Sequence, residues 1–289
     1  MSPAKVDVYE LIAWGLDDYV YRDSATHLGR KEVATKIERA QQRFAERKCH
    51  GDCPALLAEE TGRLLHLLAS SATHADLHKE YEGLDWRLGV VDLHRLLAFQ
   101  RRLVFDPLHY HSAIPQQDDW TALISLAMGS RRSTEHHVTK RNISGGFAME
   151  LSSGNPDLQV RVRPTSAADG PSPFLLFGGS PYFEVAEFRG RWFLRDGYHR
   201  AYRLLQAGVR RVPAVVINAR TIEEVGATEP WFFNEAQLFS DHPPRVLDFL
   251  DESMVLRYER PALRKVIRIR VEESLEPIDE TNEAQGETI

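Results

Sequence analysis

Cysteine is nearly absent from this chain: there are two in 289 residues, Cys49 and Cys53, both in the stretch CHGDC. That excludes the disulfide framework that staples many small secreted domains. A structural zinc site is not supported either, because no second pair of cysteines completes four ligands and His50 adds only one. A flanking loop is the plain reading of the stretch. Long apolar runs are missing too. None approaches the ~18 residues that a membrane-spanning helix requires. The opening MSPAKVDVYELIAW also lacks a basic region followed by an apolar stretch and a small-residue cleavage site. The expectation is a globular protein of the cytoplasm with no membrane partner. At 43% hydrophobic residues it can fill one large domain or two modest ones.

Basic residues are missing from the end of the chain. Glu272, Glu273, Glu276, Asp279, Glu280, Glu283 and Glu287 have no Lys or Arg among them, and without these seven acids the formal net charge of −6 becomes +1. Residues 272–289 therefore read as an acidic, disordered tail. The alternative is a charge mimic of nucleic acid that covers a basic site.

The rest divides by pattern. Residues 1–82 read as a helical N-terminal region. KEVATKIERAQQRFAERK repeats apolar positions at helical spacing, and so does CPALLAEETGRLLHLLASS, with Pro54 at the first turn. Residues 83–271 read as an α/β (α+β) domain with a small mixed sheet. It opens with a strand and helix over 84–106, and an irregular insertion follows at about 107–180, where proline, glycine and serine recur. Two histidine clusters lie in the insertion, His109 with His111 and His136 with His137. A shared metal is conceivable there, but adjacent histidines point apart. Gly178, Gly179 and Ser180 read as a loop or an anion-binding turn. YFEVAEFRGRWFLR predicts a hairpin of residues 182–188 and 191–195 around Arg189 and Gly190. A helix over 198–207, Gly208 just past its end and a buried strand at Val212–Ile217 follow. That order predicts a right-handed crossover and a parallel strand pair. One further helix is expected near 244–252, then a last strand in KVIRIRVEE.

Lysine is missing where charge is densest. From Arg189 to Arg211 there are seven arginines, one acid (Asp196) and no lysine, a local charge of +6. A guanidinium fork suits phosphate oxygens. The Asp-Gly turn of WFLRDGYHRAYRLLQAGVRRVPAVVI leads into a helix whose first N–H groups lack partners and carry a partial positive charge, a setting that favours phosphate. His199, Arg200 and Arg203 share the polar face of that helix. For Asp196 two readings stay open: a helix cap, or a carboxylate that binds Mg²⁺ or orients a hydroxyl. Glu184 and Glu187, on the strand before the turn, point to opposite faces, so one can reach the site. Tyr198 and Tyr202 either stack on a base or cover the helix.

GRWFLRDGYHRAYRLLQAGVRRVPAVVI resembles the superfamily that joins the N-terminal domain of the partition protein ParB, sulfiredoxin, the free serine kinases and the DGQHR-type proteins. In that superfamily a strand enters a G-x-[HR]-R turn, followed by a helix, a glycine and a "vP" strand. The match runs through Gly197, His199, Arg200, Ala201, Gly208, Val212 and Pro213. The resemblance implies an α/β core whose turn holds nucleotide phosphates with Mg²⁺. Tyr198 stands where sulfiredoxin has its cysteine, and no helix-turn-helix pair is evident after residue 217. The expectation is a nucleotide-binding enzyme that hydrolyses ATP or CTP with Mg²⁺, or transfers its phosphoryl group to a small acceptor. The expected site comprises Asp196 (metal and catalysis), His199, Arg200 and Glu184 (catalysis), and Gly197, Tyr198, His199, Arg200, Arg203 and Arg195 (phosphate and nucleotide). The alternative is a ParB-like nucleic-acid-binding protein inhibited by its acidic tail. The oligomeric state stays open.

Overall fold

The computed structural model describes residues 4–16, 29–49, 51, 53–72, 75–105, 113–129, 136–154, 158–162, 174–178, 180–272 and 274–275. Among these, the elements in chain order begin with β1 (Lys5–Leu11), α1 (Arg30–Ala45), α2 (Ala58–Arg63), α3 (Leu65–Ala72), α4 (Ala75–Glu80), β2 (Trp86–Asp92), β3 (Leu97–Ala98) and β4 (Arg102–Phe105). Next come α5 (Trp120–Ala127), β5 (His137–Ile143), β6 (Gly146–Ser153), β7 (Leu158–Val162), β8 (Phe174–Gly178), β9 (Glu184–Phe188), β10 (Arg191–Asp196) and α6 (Tyr198–Gln206). Then β11 (Arg211–Asn218), α7 (Ile222–Val225), α8 (Glu235–Leu238), β12 (Val255–Pro261) and β13 (Lys265–Glu272) complete the chain. The fold is α+β.

The chain forms two compact units, residues 1–132 with 180–262, and residues 133–179 with 263–289. This corrects the expected boundaries. The N-terminal residues belong to the same unit as the core, and the expected insertion supplies most of the second unit. No helix among the described residues is long and apolar enough to cross a membrane.

The larger unit has two sheets. In the first, β1 lies between β12 and β4, antiparallel to both. The N-terminal region is thus not wholly helical, because KVDVYEL alternates Val6 and Val8 inward against exposed Lys5 and Asp7. Helix α1 packs Val33 and Ala40 onto Val8, Ile12 and Leu256 of this layer. Buried Glu10 accepts from Tyr258 Oη at 2.9 Å and lies 3.6 Å from Arg102 Nε, so this buried charge is paired. The expected long helix after Cys53 is broken into α2 and α3 at Leu64. Residues 53–57 are extended, with Leu56 bridged to Val91.

The second sheet has the order β2-β11-β9-β10-β3. β9 and β10 form the expected antiparallel hairpin, with Arg189 (φ 52°) and Gly190 (φ 77°) at its tip. Helix α6 matches the expected 198–207 span, Gly208 sits at φ 78° beyond it, and β11 is buried from Val212 to Ile217. The expected parallel pairing across the helix is not what forms. β11 pairs parallel to β9 and therefore runs opposite to β10. A nine-residue helix is about 13 Å long, close to the two strand spacings, about 10 Å, from β10 to β11. It carries the chain across the strand ends instead of back along the sheet.

The second half of 84–106 also departs from expectation. β2 forms, but a 3₁₀ turn at Leu93–Arg95 and two short strands replace the helix. Asp92 caps that turn by accepting from His94 N at 3.0 Å. Leu93, Leu96, Leu97, Ala98 and Phe99 are buried because the chain threads the core, not because one helical face is. β2 and β3 sit at opposite edges of a five-stranded sheet that would be about 19 Å across if flat. The short link of residues 93–96, itself partly coiled, cannot span that, so the sheet curls. The expected helix near 244–252 is a 3₁₀ turn, Val246–Leu250.

In the smaller unit β13, β6 and β5 form an antiparallel sheet and β7 pairs with β8. KVIRIRVE is a strand as expected, with Ile267, Ile269 and Val271 more buried than Arg268 and Arg270, but it lies in this unit instead of the core sheet. The tail after Leu275 lies outside the described residues.

Burial opposes ionisation of Asp92, but hydrogen bonds from Arg210 and from His94 N–H outweigh it and hold the carboxyl below the usual range. A depressed folded value gives stability that is present above the unfolded pKa and lost as pH falls through the folded one. The melting temperature should therefore drop below pH about 4. In Asp92→Asn it should be lower at neutral pH and lose part of that acid sensitivity, which calorimetry from pH 7 to 3 checks.

Candidate functional site

The D-G-Y-H-R turn sits where β10 ends. Gly197 adopts φ 98°, a left-handed conformation that only glycine takes cheaply. A Cβ there would stand 2.8 Å from Cδ2 of Phe183 and 3.3 Å from Nη2 of Arg200. Gly197 is itself the N-cap of α6 and brings no side chain to it. Asp196, expected as either cap or metal carboxylate, stands one residue before the N-cap; its side chain is 37% exposed and one carboxylate oxygen lies 3.6 Å from Arg200 Nη2.

The predicted phosphate residues are held by the protein's own groups. Arg200 donates through Nη1 to the carbonyls of Pro181 (2.7 Å) and Leu126 (3.2 Å), and through Nη2 to that of Tyr182 (2.6 Å). Tyr198 is buried, and its hydroxyl accepts from Phe99 N at 3.0 Å; burial raises its pKa above the ordinary tyrosine value. It fills core and is not placed to stack on a base. Tyr202 is buried as well. His199 Nε2 lies 2.8 Å from the Val104 carbonyl, which can only accept, so that nitrogen carries a proton. Phe105 packs edge-on to its ring at 5.3 Å.

Glu184 and Asp196 are register partners across the hairpin, so two predicted carboxylates come together. Glu184 is 2% exposed. It accepts from Tyr81 Oη at 2.5 Å and is ion-paired with Arg195, which also donates to the Glu224 carbonyl at 3.1 Å. Burial first, then the Glu184 charge, pushes Tyr81 well above the ordinary tyrosine pKa. Glu187 accepts from Gly190 N at 2.9 Å in the hairpin turn. Ser180 accepts from Tyr182 N at 3.2 Å.

The arginine stripe is equally engaged. Arg189 binds Glu235 at 2.6 Å, Arg191 the carbonyls of Leu238 and Ser240, Arg210 Asp92, and Arg211 both Glu60 and Asp118. Arg203 is half-buried on α6 and also has an interaction partner. A local charge of +6 in the sequence is thus mostly internal bonding in three dimensions.

Against family models, curated proteins and solved structures, the chain finds no match. The likeness to ParB and sulfiredoxin rests on the turn motif alone.

Among the described residues, no group of three or more His, Cys, Asp or Glu converges on a metal position. His137 is exposed on β5, while His109, His111 and Gly179 lie outside the described residues. Sequence reasoning missed Tyr81 and Phe183, which come from distant segments and carry no local signal. It also missed an open cavity, about 250 Å³, whose wall includes Cys49, Cys53, His94, Arg95 and Arg245.

Arg200→Ala should lower stability by about 2–4 kcal/mol, because three carbonyls lose a charged donor. Arg200→Lys should recover only part of this, since an ammonium lacks the planar fork. Chemical denaturation of the three proteins checks both expectations.

Proposed function

We propose that the chain binds ATP or CTP with Mg²⁺ at the opening of α6, and hydrolyses it or transfers its terminal phosphoryl group to a small acceptor. The observation that carries this reading is a helix start whose N-cap is a left-handed glycine, directly after a partly exposed carboxylate. First-turn N–H groups and the helix dipole favour phosphate there. Asp196 is the oxygen ligand for Mg²⁺. With no group of three or more His, Cys, Asp or Glu around it among the described residues, the ion arrives with the phosphates and keeps several waters, as Mg²⁺ commonly does.

The other residues divide into two roles. Arg203, half-buried on the same helix, contributes charge, while His199 is held by the Val104 carbonyl. Arg200, Arg195 and Glu184 hold the turn in shape: Arg200 ties it to α5 and to the entry of β9, and Glu184 fixes Arg195. Glu184 is therefore a positioning residue and not the base. In the reaction, an oxygen of water or of the acceptor hydroxyl attacks the terminal phosphorus as the bond to the nucleoside diphosphate breaks, and the attacking oxygen's proton passes to Asp196 or solvent. The nucleic-acid reading has less support, because the arginines that prompted it are bonded within the fold.

Thermal unfolding with ATP and with CTP, each with and without Mg²⁺, tests the reading. At a ligand concentration a hundredfold above Kd, stabilisation of about 2.7 kcal/mol is expected with the metal. Asp196→Asn should keep its own melting temperature and lose the metal-dependent part. No shift with either nucleotide in the parent protein rules the reading out.

A further inference from the structure

We propose that the cavity between the end of α1, the Leu93–Arg95 turn and Arg245 is a binding site for a small oxyanion, of the phosphate or dicarboxylate class, with Cys49 and Cys53 in its wall. Lys48, His94, Arg95 and Arg245 share that wall, and no carboxylate among the described residues does. It has no residue in common with the α6 opening, and the inference does not rest on the nucleotide reading.

Cations outnumber carboxylates among the described residues here, and the reason is traceable. Asp248, the nearest buried carboxylate, binds both terminal nitrogens of Arg47 (3.2 and 2.8 Å) and accepts from the backbone N of Arg245 at 2.8 Å. Its charge also favours the Arg245 guanidinium, but no hydrogen bond joins the two side chains. Nε of Arg245 is buried without a hydrogen-bond partner among the described residues, and its Nη2 reaches only the Lys48 carbonyl, at 3.5 Å. Burial, then the Arg47 charge, lowers the Arg245 pKa from the ordinary guanidinium value, the direction expected of a cation short of a partner. Arg95 donates to the Pro54 carbonyl at 2.6 Å and shares Asp92 with Arg210. Among the described residues two carboxylates, Asp92 and Asp248, therefore face four arginines in this corner, and Lys48 is exposed beside them. An oxyanion supplies the missing acceptors and charge together.

Size sets the ligand class. At about 250 Å³ the cavity is below the roughly 300–1,000 Å³ of pockets that enclose drug-sized ligands, so it suits one compact oxyanion with a few waters and not a nucleotide. The thiols give the site a built-in reporter. Cations attract anionic reagents, and a bound anion both cancels that attraction and covers the wall, so occupancy of the cavity alters how fast Cys49 and Cys53 react.

The test uses reduced full-length protein, titrated calorimetrically with inorganic phosphate and, separately, with malonate, while thiol alkylation is timed with anionic iodoacetate and neutral iodoacetamide. Saturable binding of at least one anion is expected, and the stronger of the two identifies the class. The bound anion should slow alkylation several-fold, and without it the iodoacetate-to-iodoacetamide rate ratio should exceed that of free glutathione. Arg245→Gln and Lys48→Gln should each weaken binding about tenfold. Lys48 is exposed, so its variant keeps the fold, and nucleotide-dependent stabilisation, which reads the α6 opening, should be unchanged in it. Absence of binding by both anions, binding without thiol protection, or unchanged affinity in Lys48→Gln overturns the proposal.

Discussion

Three carbonyl oxygens, those of Leu126, Pro181 and Tyr182, converge on one guanidinium, Arg200. That convergence ties the C-terminal end of α5, the chain entering β9 and the start of α6 into one corner. The Leu126 carbonyl belongs to the last turn of a helix, where acceptors have no intrahelical donor, and the carbonyls of Pro181 and Tyr182 lie just before a strand. Buried acceptors of this kind must be satisfied. Phe183 lies beneath, its ring 5.7 Å from the guanidinium and close enough to Gly197 to forbid a side chain there. The glycine, the arginine and the phenylalanine constrain one another, and the direction in which α6 leaves β10 follows from them.

The same reasoning extends along the arginine-rich stretch. A guanidinium has five donors in a plane and stays charged, so it serves as readily to join loop carbonyls and internal carboxylates as to bind phosphate. Arg191 joins two carbonyls near the end of α8, Arg195 joins Glu184 to the Glu224 carbonyl, and Arg211 joins α2 to the loop before α5. High local charge in a sequence thus reports a need for donors without saying whether the acceptor is a ligand or the protein. What separates the two cases is the supply of acceptors within reach, which depends on segments far away in sequence.

Legibility followed that divide between local and distant causes. The hairpin, α6 and the buried run of β11 were readable because Arg-Gly at the tip, glycines at both ends of the helix and a continuous apolar run act on their nearest neighbours. The direction of β11 was not. It depends on pairing with β9 and β2, and the strand-helix-strand pattern is silent on whether the helix crosses the strand ends or returns along the sheet. Strand β1 carried a period of two that its helical surroundings masked, and the apolar residues from Leu93 to Phe99 imitated a helical face because every side of that segment is buried. In the site, Asp196 and Gly197 could be located from the sequence. That Glu184 would be enclosed by Tyr81 and Arg195 could not, since residue 81 reaches it only through the assembled fold.

The two proposed anion sites differ in what would supply the positive potential. At the opening of α6 the arginines are bonded internally, so attraction comes from peptide N–H groups and the helix dipole, weak donors fixed in direction and suited to a multiply charged chain of phosphates that brings its own metal ion. In the cavity beside Cys49 and Cys53 the peptide contributes little, and attraction comes from guanidinium and ammonium groups whose carboxylates are engaged elsewhere. Screening separates them further, because exposed Lys48 is weakened by salt while half-buried Arg245 is not weakened to the same degree. A ligand that fits the second site must therefore be small enough to enter the cavity beside Arg245, and one that fits the first must be long enough to place charge at the helix start.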